Sequence, residues 1–147
     1  MRKKKTEPVD KLIDDLAREK NRLLSFYLDS YSLGNGQYQI LTHIAWDEGQ
    51  SQEFIAKKRN IDKSAIGKSV KRLIENGYIY KTRDENDKRA FCLFCTEKGR
   101  ETVEMIGHII FDVDQLLTKG SSQEEMDVFK NITKRMSQNI RDFLLVK

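Results

Sequence analysis

Ser51-Gln-Glu-Phe-Ile-Ala-Lys-Lys-Arg-Asn60 runs into Ile61-Asp-Lys-Ser-Ala-Ile-Gly-Lys-Ser-Val-Lys-Arg-Leu-Ile-Glu-Asn-Gly77. Two short helical patterns stand here with only a turn between them, the spacing of a helix-turn-helix. Asp62 can cap the second pattern, in which Ile66, Val70, Leu73 and Ile74 recur at three- and four-residue steps. Ser64, Gly67, Lys68 and Lys71 then fall on the other side, so a narrow apolar stripe leaves a small, cationic outer face. Asn76-Gly77 supplies a left-handed stop. Beyond it the pattern turns to β, with residues 78–83 and 90–96 as two strands around the charged loop Asp84-Glu-Asn-Asp-Lys-Arg89. Helix, helix and hairpin in that order predict a winged helix-turn-helix.

Working outward toward the start, Pro8 suits the first turn of a helix, and Val9, Leu12, Ile13, Leu16, Leu23, Leu24, Tyr27, Leu28 and Tyr31 form its stripe. The segment Met1-Arg-Lys-Lys-Lys5 ahead of it reads as a loose basic arm. Ser32-Leu-Gly-Asn-Gly36 breaks the helix. Residues 37–47 give a supporting helix with Ile40, Leu41, Ile44 and Ala45 inward, ended by Glu48-Gly49-Gln50.

Toward the end, Thr96-Glu-Lys-Gly99 opens a helix to about Lys119 with Val103, Ile106, Ile110, Val113, Leu116 and Leu117 as its apolar set. Gly120 stops it. Ser121 and Ser122, each with a glutamate three residues on (Glu124, Glu125), are two capping-box candidates for a last helix. There Met126, Phe129, Ile132, Met136, Ile140 and Phe143 form a seam more regular than a small core requires. The fold class expected is mainly α with a small β wing: one domain, its reader at 36–97, its dimerisation helices at 1–33 and 100–147. A two-fold dimer would set two recognition helices about 34 Å apart, which calls for a pseudo-palindromic target.

With 147 residues, one Pro, 38% hydrophobic and 34% charged content, the chain has material for a single core plus an oligomer interface. Its net charge of +4 is unevenly spread. Residues 1–51 carry eight basic and eight acidic side chains, 52–89 eleven and six, and 90–147 eight and nine. The excess positive charge therefore sits in the winged segment, as a phosphate-facing surface requires; a solvated charged face is the alternative. Cys92 and Cys95, three apart in a strand, point to opposite faces and read as reduced, packed thiols of a cytoplasmic protein. No apolar run follows the basic start and none is of membrane length. No Gly-rich phosphate loop, nucleophile elbow or paired-histidine motif is present, so neither catalysis nor a cofactor is expected.

The order of elements, with Arg83-Asp84-Glu-Asn-Asp87-Lys-Arg89 and Cys95-Thr96-Glu-Lys-Gly99, resembles the MarR family of bacterial and archaeal transcriptional regulators. Asp87 and Arg89 match the family's aspartate, one residue, arginine pattern in the wing. Thr96 and Gly99 match its Leu-Thr-x-x-Gly pattern, with Cys95 where leucine is usual. The resemblance implies an obligate homodimer, a fourth helix in the major groove of double-stranded DNA, a wing arginine at the minor groove, and binding that a small molecule, metal or oxidant weakens.

The residues agree chemically with those roles. Arg89 at a hairpin tip can enter a narrow minor groove, and Asp87 either holds its guanidinium by a bidentate pair or is a plain turn residue. Ser64, Lys68 and Lys71 can reach base edges or phosphates, with Lys63, Arg72, Arg83 and Lys88 as further contacts. Gly67 costs about 1 kcal/mol of helix stability relative to Ala, so close approach to DNA is its expected justification. Gln52 is placed to clamp a phosphate, while Lys57, Lys58 and Arg59 read as solvated charges. Tyr27, Tyr31, His43, Trp46, His108 and Phe111 are candidates for an effector pocket suited to a small aromatic acid or lipophilic drug; each is otherwise a core residue. His108 with Asp112 can offer two metal ligands, but the alternative of groove-lining residues is preferred, and no metal is assigned. The rival classes are a protein-interaction module and a metal- or redox-responsive sensor on the same fold.

Overall fold

The computed structural model describes residues 7–34 and 36–146, so the expected basic arm lies outside the described residues. The elements are α1 (Val9–Leu28), a 3₁₀ turn (Asp29–Tyr31), α2 (Gln37–Trp46), α3 (Gln52–Arg59), α4 (Lys63–Glu75), β1 (Ile79–Arg83), β2 (Phe91–Cys95), α5 (Glu97–Thr118) and α6 (Gln123–Leu145). Two compact units divide between Ile110 and Phe111, a boundary that α5 passes through.

The first unit is built on α2, whose Ile40, Leu41 and Ile44 are buried as expected. This helix packs on α4 and β2, and α3 packs on α4. Leu28, Leu33, Ile55, Ile66, Leu73, Ile79 and Leu93 complete the core, each under 2 or at 2% exposed. Pro8 stands just before α1 as its N-cap residue, in extended conformation, rather than inside the first turn. The stripe also ends earlier than its spacing suggests: α1 closes at Leu28, and the chain tightens into the 3₁₀ turn before a left-handed Ser32. Of that stripe Leu24 and Leu28 are buried, whereas Val9, Leu12, Ile13 and Leu16 remain about half exposed.

Strands β1 and β2 pair antiparallel, with Ile79 opposite Cys95, Lys81 opposite Leu93 and Arg83 opposite Phe91. The outer edge of β2 does not stay open. Gly49 N–H donates to the Leu93 carbonyl at 2.9 Å, Leu93 N–H donates to Gln50 at 3.0 Å, and Ser51 bridges to Cys92. A short connecting segment thus covers an edge that would otherwise invite pairing with another chain.

The hairpin is locked to α5 by the Thr-x-x-Gly sequence. The Thr96 hydroxyl lies 2.7 Å from the Gly77 carbonyl and accepts the Gly99 N–H at 3.0 Å, while Thr96 N–H donates to Tyr78 at 3.0 Å. A Cβ on Gly99 would sit 2.0 Å from the Tyr78 carbonyl oxygen, so no side chain fits there. Cys95, in the position of the usual leucine, is fully buried and fills its space.

In the second unit, Gly120 turns the chain with φ +86°, and α6 begins at a capping box. Only one of the two candidates forms it. Ser122 accepts the Glu125 N–H at 3.1 Å and donates its own N–H to the Glu125 carboxylate at 2.8 Å, whereas Ser121 N–H closes the end of α5 by donating to Thr118. No residue of α6 is buried; Phe129, Ile140 and Phe143 are 49%, 62% and 63% exposed.

Candidate nucleic-acid interface

Side-chain caps and glycine-like turns fix α3 and α4 in place. The Ser51 hydroxyl accepts the Phe54 N–H at 3.1 Å, Asn60 takes the left-handed conformation, and one Asp62 oxygen accepts the N–H groups of Ser64 and Ala65 at 2.9 and 3.2 Å. Each satisfies helix-end groups that have no partner inside the helix. With Ile66, Val70 and Leu73 drawn into the core, α4 presents Lys63, Ser64, Lys68, Lys71 and Arg72 to solvent. Gly67 is half-buried at the flank, and Ile74 is half-buried rather than fully inward. Gln52, the first residue of α3, leans its amide nitrogen to within 3.5 Å of where a Cβ on Gly67 would stand.

At the wing tip Asp84 accepts the N–H groups of Asn86 and Asp87 at 2.7 and 3.3 Å, and these bonds hold its carboxyl below the usual carboxylate range. Asp87 accepts the Arg89 backbone N–H at 3.0 Å. The expected Asp87–Arg89 side-chain pair is therefore not formed: among the described residues no ion pair joins them, because the aspartate serves the turn and leaves the guanidinium exposed. Arg83 donates to the Lys88 carbonyl at 3.2 Å and sits 5.7 Å over the Phe91 ring; Lys88 itself is exposed. Lys81 lies 4.8 Å over the same ring. The two-residue period of the strand places Lys81 and Arg83 on one face, and only the pairing of β1 with β2 brings Phe91 beneath both.

Lys58 and Arg59 are not free charges, a correction to the sequence reading. Both engage Asp47, Arg59 at 3.2 Å, and Arg59 also lies 5.3 Å over the Trp46 ring. Lys58 first, and Arg59 after it, depress the Asp47 carboxyl below its ordinary range. Glu48 next to it accepts the Cys95 N–H at 2.7 Å and an Arg100 N–H at 3.1 Å. The end of α2 is thereby tied to α3, to β2 and to the start of α5. Lys57 alone of the three is exposed without such a partner.

The pocket candidates separate. A groove of about 490 Å³ between α2 and α5 is lined by Tyr38, Thr42, His43 and Trp46 on one side and Val103 and Ile106 on the other. His43 and Trp46 were expected there; Tyr38 was not. Tyr27 and Tyr31 lie outside this lining on α1 and the 3₁₀ turn, His108 is exposed on α5, and Phe111 belongs to the second unit. His43 keeps a buried, unpartnered Nδ1, and burial, then the neighbouring Arg59, lower its pKa against an opposing pull from Asp47.

Both thiols are biased toward the protonated form, whereas the thiolate is the reactive one. Burial, reinforced by Glu48, pushes the Cys95 thiol up to about 11, and burial with the Asp84 contact raises Cys92. Among the described residues no group of three or more His, Cys, Asp or Glu side chains gathers as a metal would need, and no helix is long and apolar enough to cross a membrane.

Comparison with known proteins agrees with this geometry. The model of the family described as "Transcriptional regulator SarA/Rot" matches residues 22–106. The transcriptional regulator BilQ of Clostridioides difficile is 32% identical over 109 residues, covering 74% of this chain and 72% of that protein. A MarR protein from Peptoclostridium difficile superposes with a TM-score of 0.87 at 26% identity, over 100% of this chain and 97% of its own. A cysteine-to-serine variant of MarR from E. coli, solved in complex with operator DNA, superposes at 0.79 with 25% identity, over 88% and 93% of the two chains. With its cationic reading helix, its charged wing and the Thr-x-x-Gly lock behind it, the chain belongs to the MarR and SarA/Rot family of winged-helix, DNA-binding transcriptional regulators.

Proposed function

We propose that the chain is a homodimeric, sequence-specific repressor of the cytoplasm that binds a pseudo-palindromic operator in double-stranded DNA and releases it when a small effector binds. The observation that carries the reading is the solvent-facing row Ser64, Lys68 and Lys71 on α4, beside a wing that exposes Lys88 and Arg89, within the one segment holding an excess of positive charge. In this arrangement α4 enters the major groove, lysines neutralise phosphates, and Arg89 reaches the minor groove. Dimerisation is supported by the apolar positions of α1 and α6 that the chain leaves half exposed.

The test is electrophoretic or fluorescence titration of a selected duplex against salt. Affinity should fall linearly with the logarithm of salt concentration, with a slope reporting several phosphate contacts. Salt-insensitive binding, or none, would turn the reading toward a protein partner.

For the effector, the α2–α5 groove combines apolar walls with the unpaired His43 nitrogen, which suits a small aromatic or lipophilic molecule with one polar group. An aromatic carboxylate such as benzoate should raise the melting temperature of the free protein and weaken its hold on the duplex.

A further inference from the structure

The cations of α4 are hydrogen-bond donors only, and a lysine can read guanine or bind phosphate but cannot match adenine, which presents an acceptor and a donor side by side. The outer face of α4 carries no carboxamide of its own. What stands beside it is Gln52, reaching over from α3.

Three features set this side chain apart. Gln52 heads the face of α3 that continues into buried Ile55 and Ala56, so it lies against α4 instead of turning to open solvent. Its amide sits 3.5 Å from the position a Cβ would take on Gly67, which is the space a side chain at position 67 would use. Among the described residues its amide makes no hydrogen bond, and neither amide atom is among the buried, unpartnered ones, so the group is open to a ligand. On α4, Ser64 and Lys71 flank Gly67 one turn to either side.

We propose that Gln52 is a specificity-determining residue, its carboxamide taking the place of the side chain that Gly67 lacks and reading an adenine in the major groove. This rests on the DNA-binding reading above and adds to it the base that one position of each half-site must hold. Gly67 is then the seat of a reader borrowed from the neighbouring helix. A phosphate contact by the same amide is the competing outcome, and the two differ in what they do to sequence preference.

The experiment selects binding sites from a randomised duplex library with the wild-type protein, Gln52→Ala and Gln52→Glu, and then titrates single-substituted duplexes. Wild type should require an A·T pair at one position per half-site, with roughly tenfold loss on changing it to G·C. Gln52→Ala should lose that preference at that position alone while keeping the others. Gln52→Glu, close in shape and acceptor-only, should move the preference toward cytosine, a change that a merely structural role would not produce. Gly67→Gln should displace the amide from its seat and alter preference at the same position. An equal loss of affinity on every duplex, with preferences intact in Gln52→Ala and Gln52→Glu, would assign Gln52 to phosphate and overturn the inference. Absence of any salt-sensitive duplex binding by wild type would instead overturn the functional reading on which it rests.

Discussion

Helices α4 and α6 are written in the same grammar and come to opposite ends. Both carry apolar residues at three- and four-residue steps, a capped start and a charged outer face. In α4 the stripe Ile66, Val70 and Leu73 is 0–5% exposed, whereas α6 buries none of its residues. A stripe fulfilled within its own chain makes a rigid support, and its remaining surface is free to do chemistry. The α6 positions left half exposed would each gain about 1.5–3 kcal/mol on burial, which is the ground for the proposed dimer. The same contrast separates the polar groups. In the reading head Asp47, Glu48, Asp62 and Asp84 are all bonded, while Lys63, Lys68, Lys71, Lys88 and Arg89 face solvent.

The largest effect expected is on the head. Gly99→Ala places a methyl group inside the Tyr78 carbonyl and should lower stability by about 3 kcal/mol or more, read from urea unfolding. A change under 1 kcal/mol would show that the junction of wing and α5 yields easily. Next comes the scaffold: Phe129→Asp on α6 should give monomers that keep their helix content but bind the operator on the order of 100-fold more weakly, because two heads no longer act together. Sedimentation showing an intact dimer would remove α6 from the interface. Arg89→Ala should weaken duplex binding by about 1–3 kcal/mol and leave the oligomer unaltered, and an unchanged affinity would take the wing tip out of recognition.

Smaller effects sharpen the division between support and surface. Gly67→Ala meets only the Gln52 amide at an ordinary 3.5 Å, so it should stabilise the fold by about 1 kcal/mol through helix propensity. If operator binding suffers nonetheless, the glycine is kept for DNA and not for folding. The least change is expected from His43→Gln. Because the folded protein holds the His43 pKa below its ordinary 6.5, the unfolded chain takes up the proton first as pH falls. Stability should therefore decline as pH drops through about 6.5 in the wild type, and this decline should flatten in the variant, as thermal melts between pH 5 and 8 would register.

Much of the head was legible because its signals are local. Asp62, like Ser122 at the start of α6, acts on N–H groups two or three residues away, so residue type and spacing sufficed. Asp87 shows the limit of that logic. An aspartate two residues before an arginine can pair with either the side chain or the backbone N–H, and here the short reach to the backbone is the one taken. Lys58 and Arg59 looked like solvent charges because their partner Asp47 lies more than ten residues back, brought near only by the packing of the two helices. The groove candidates divided for the same reason: being aromatic does not say which side of α2 a tyrosine will share, and Tyr38 lines it where Tyr27 and Tyr31 do not.

Periodicity, caps and breakers, read along the chain, were enough to locate six helices and a hairpin and to identify the cationic face of α4, since these depend on neighbours within four residues. Which stripes are closed, which charges are tied down, that Gly99 must lack a side chain and that Gln52 lies over Gly67 were decided only in three dimensions. Those facts depend on groups from distant segments meeting at a few ångströms, and helical spacing carries no information about what stands across the gap.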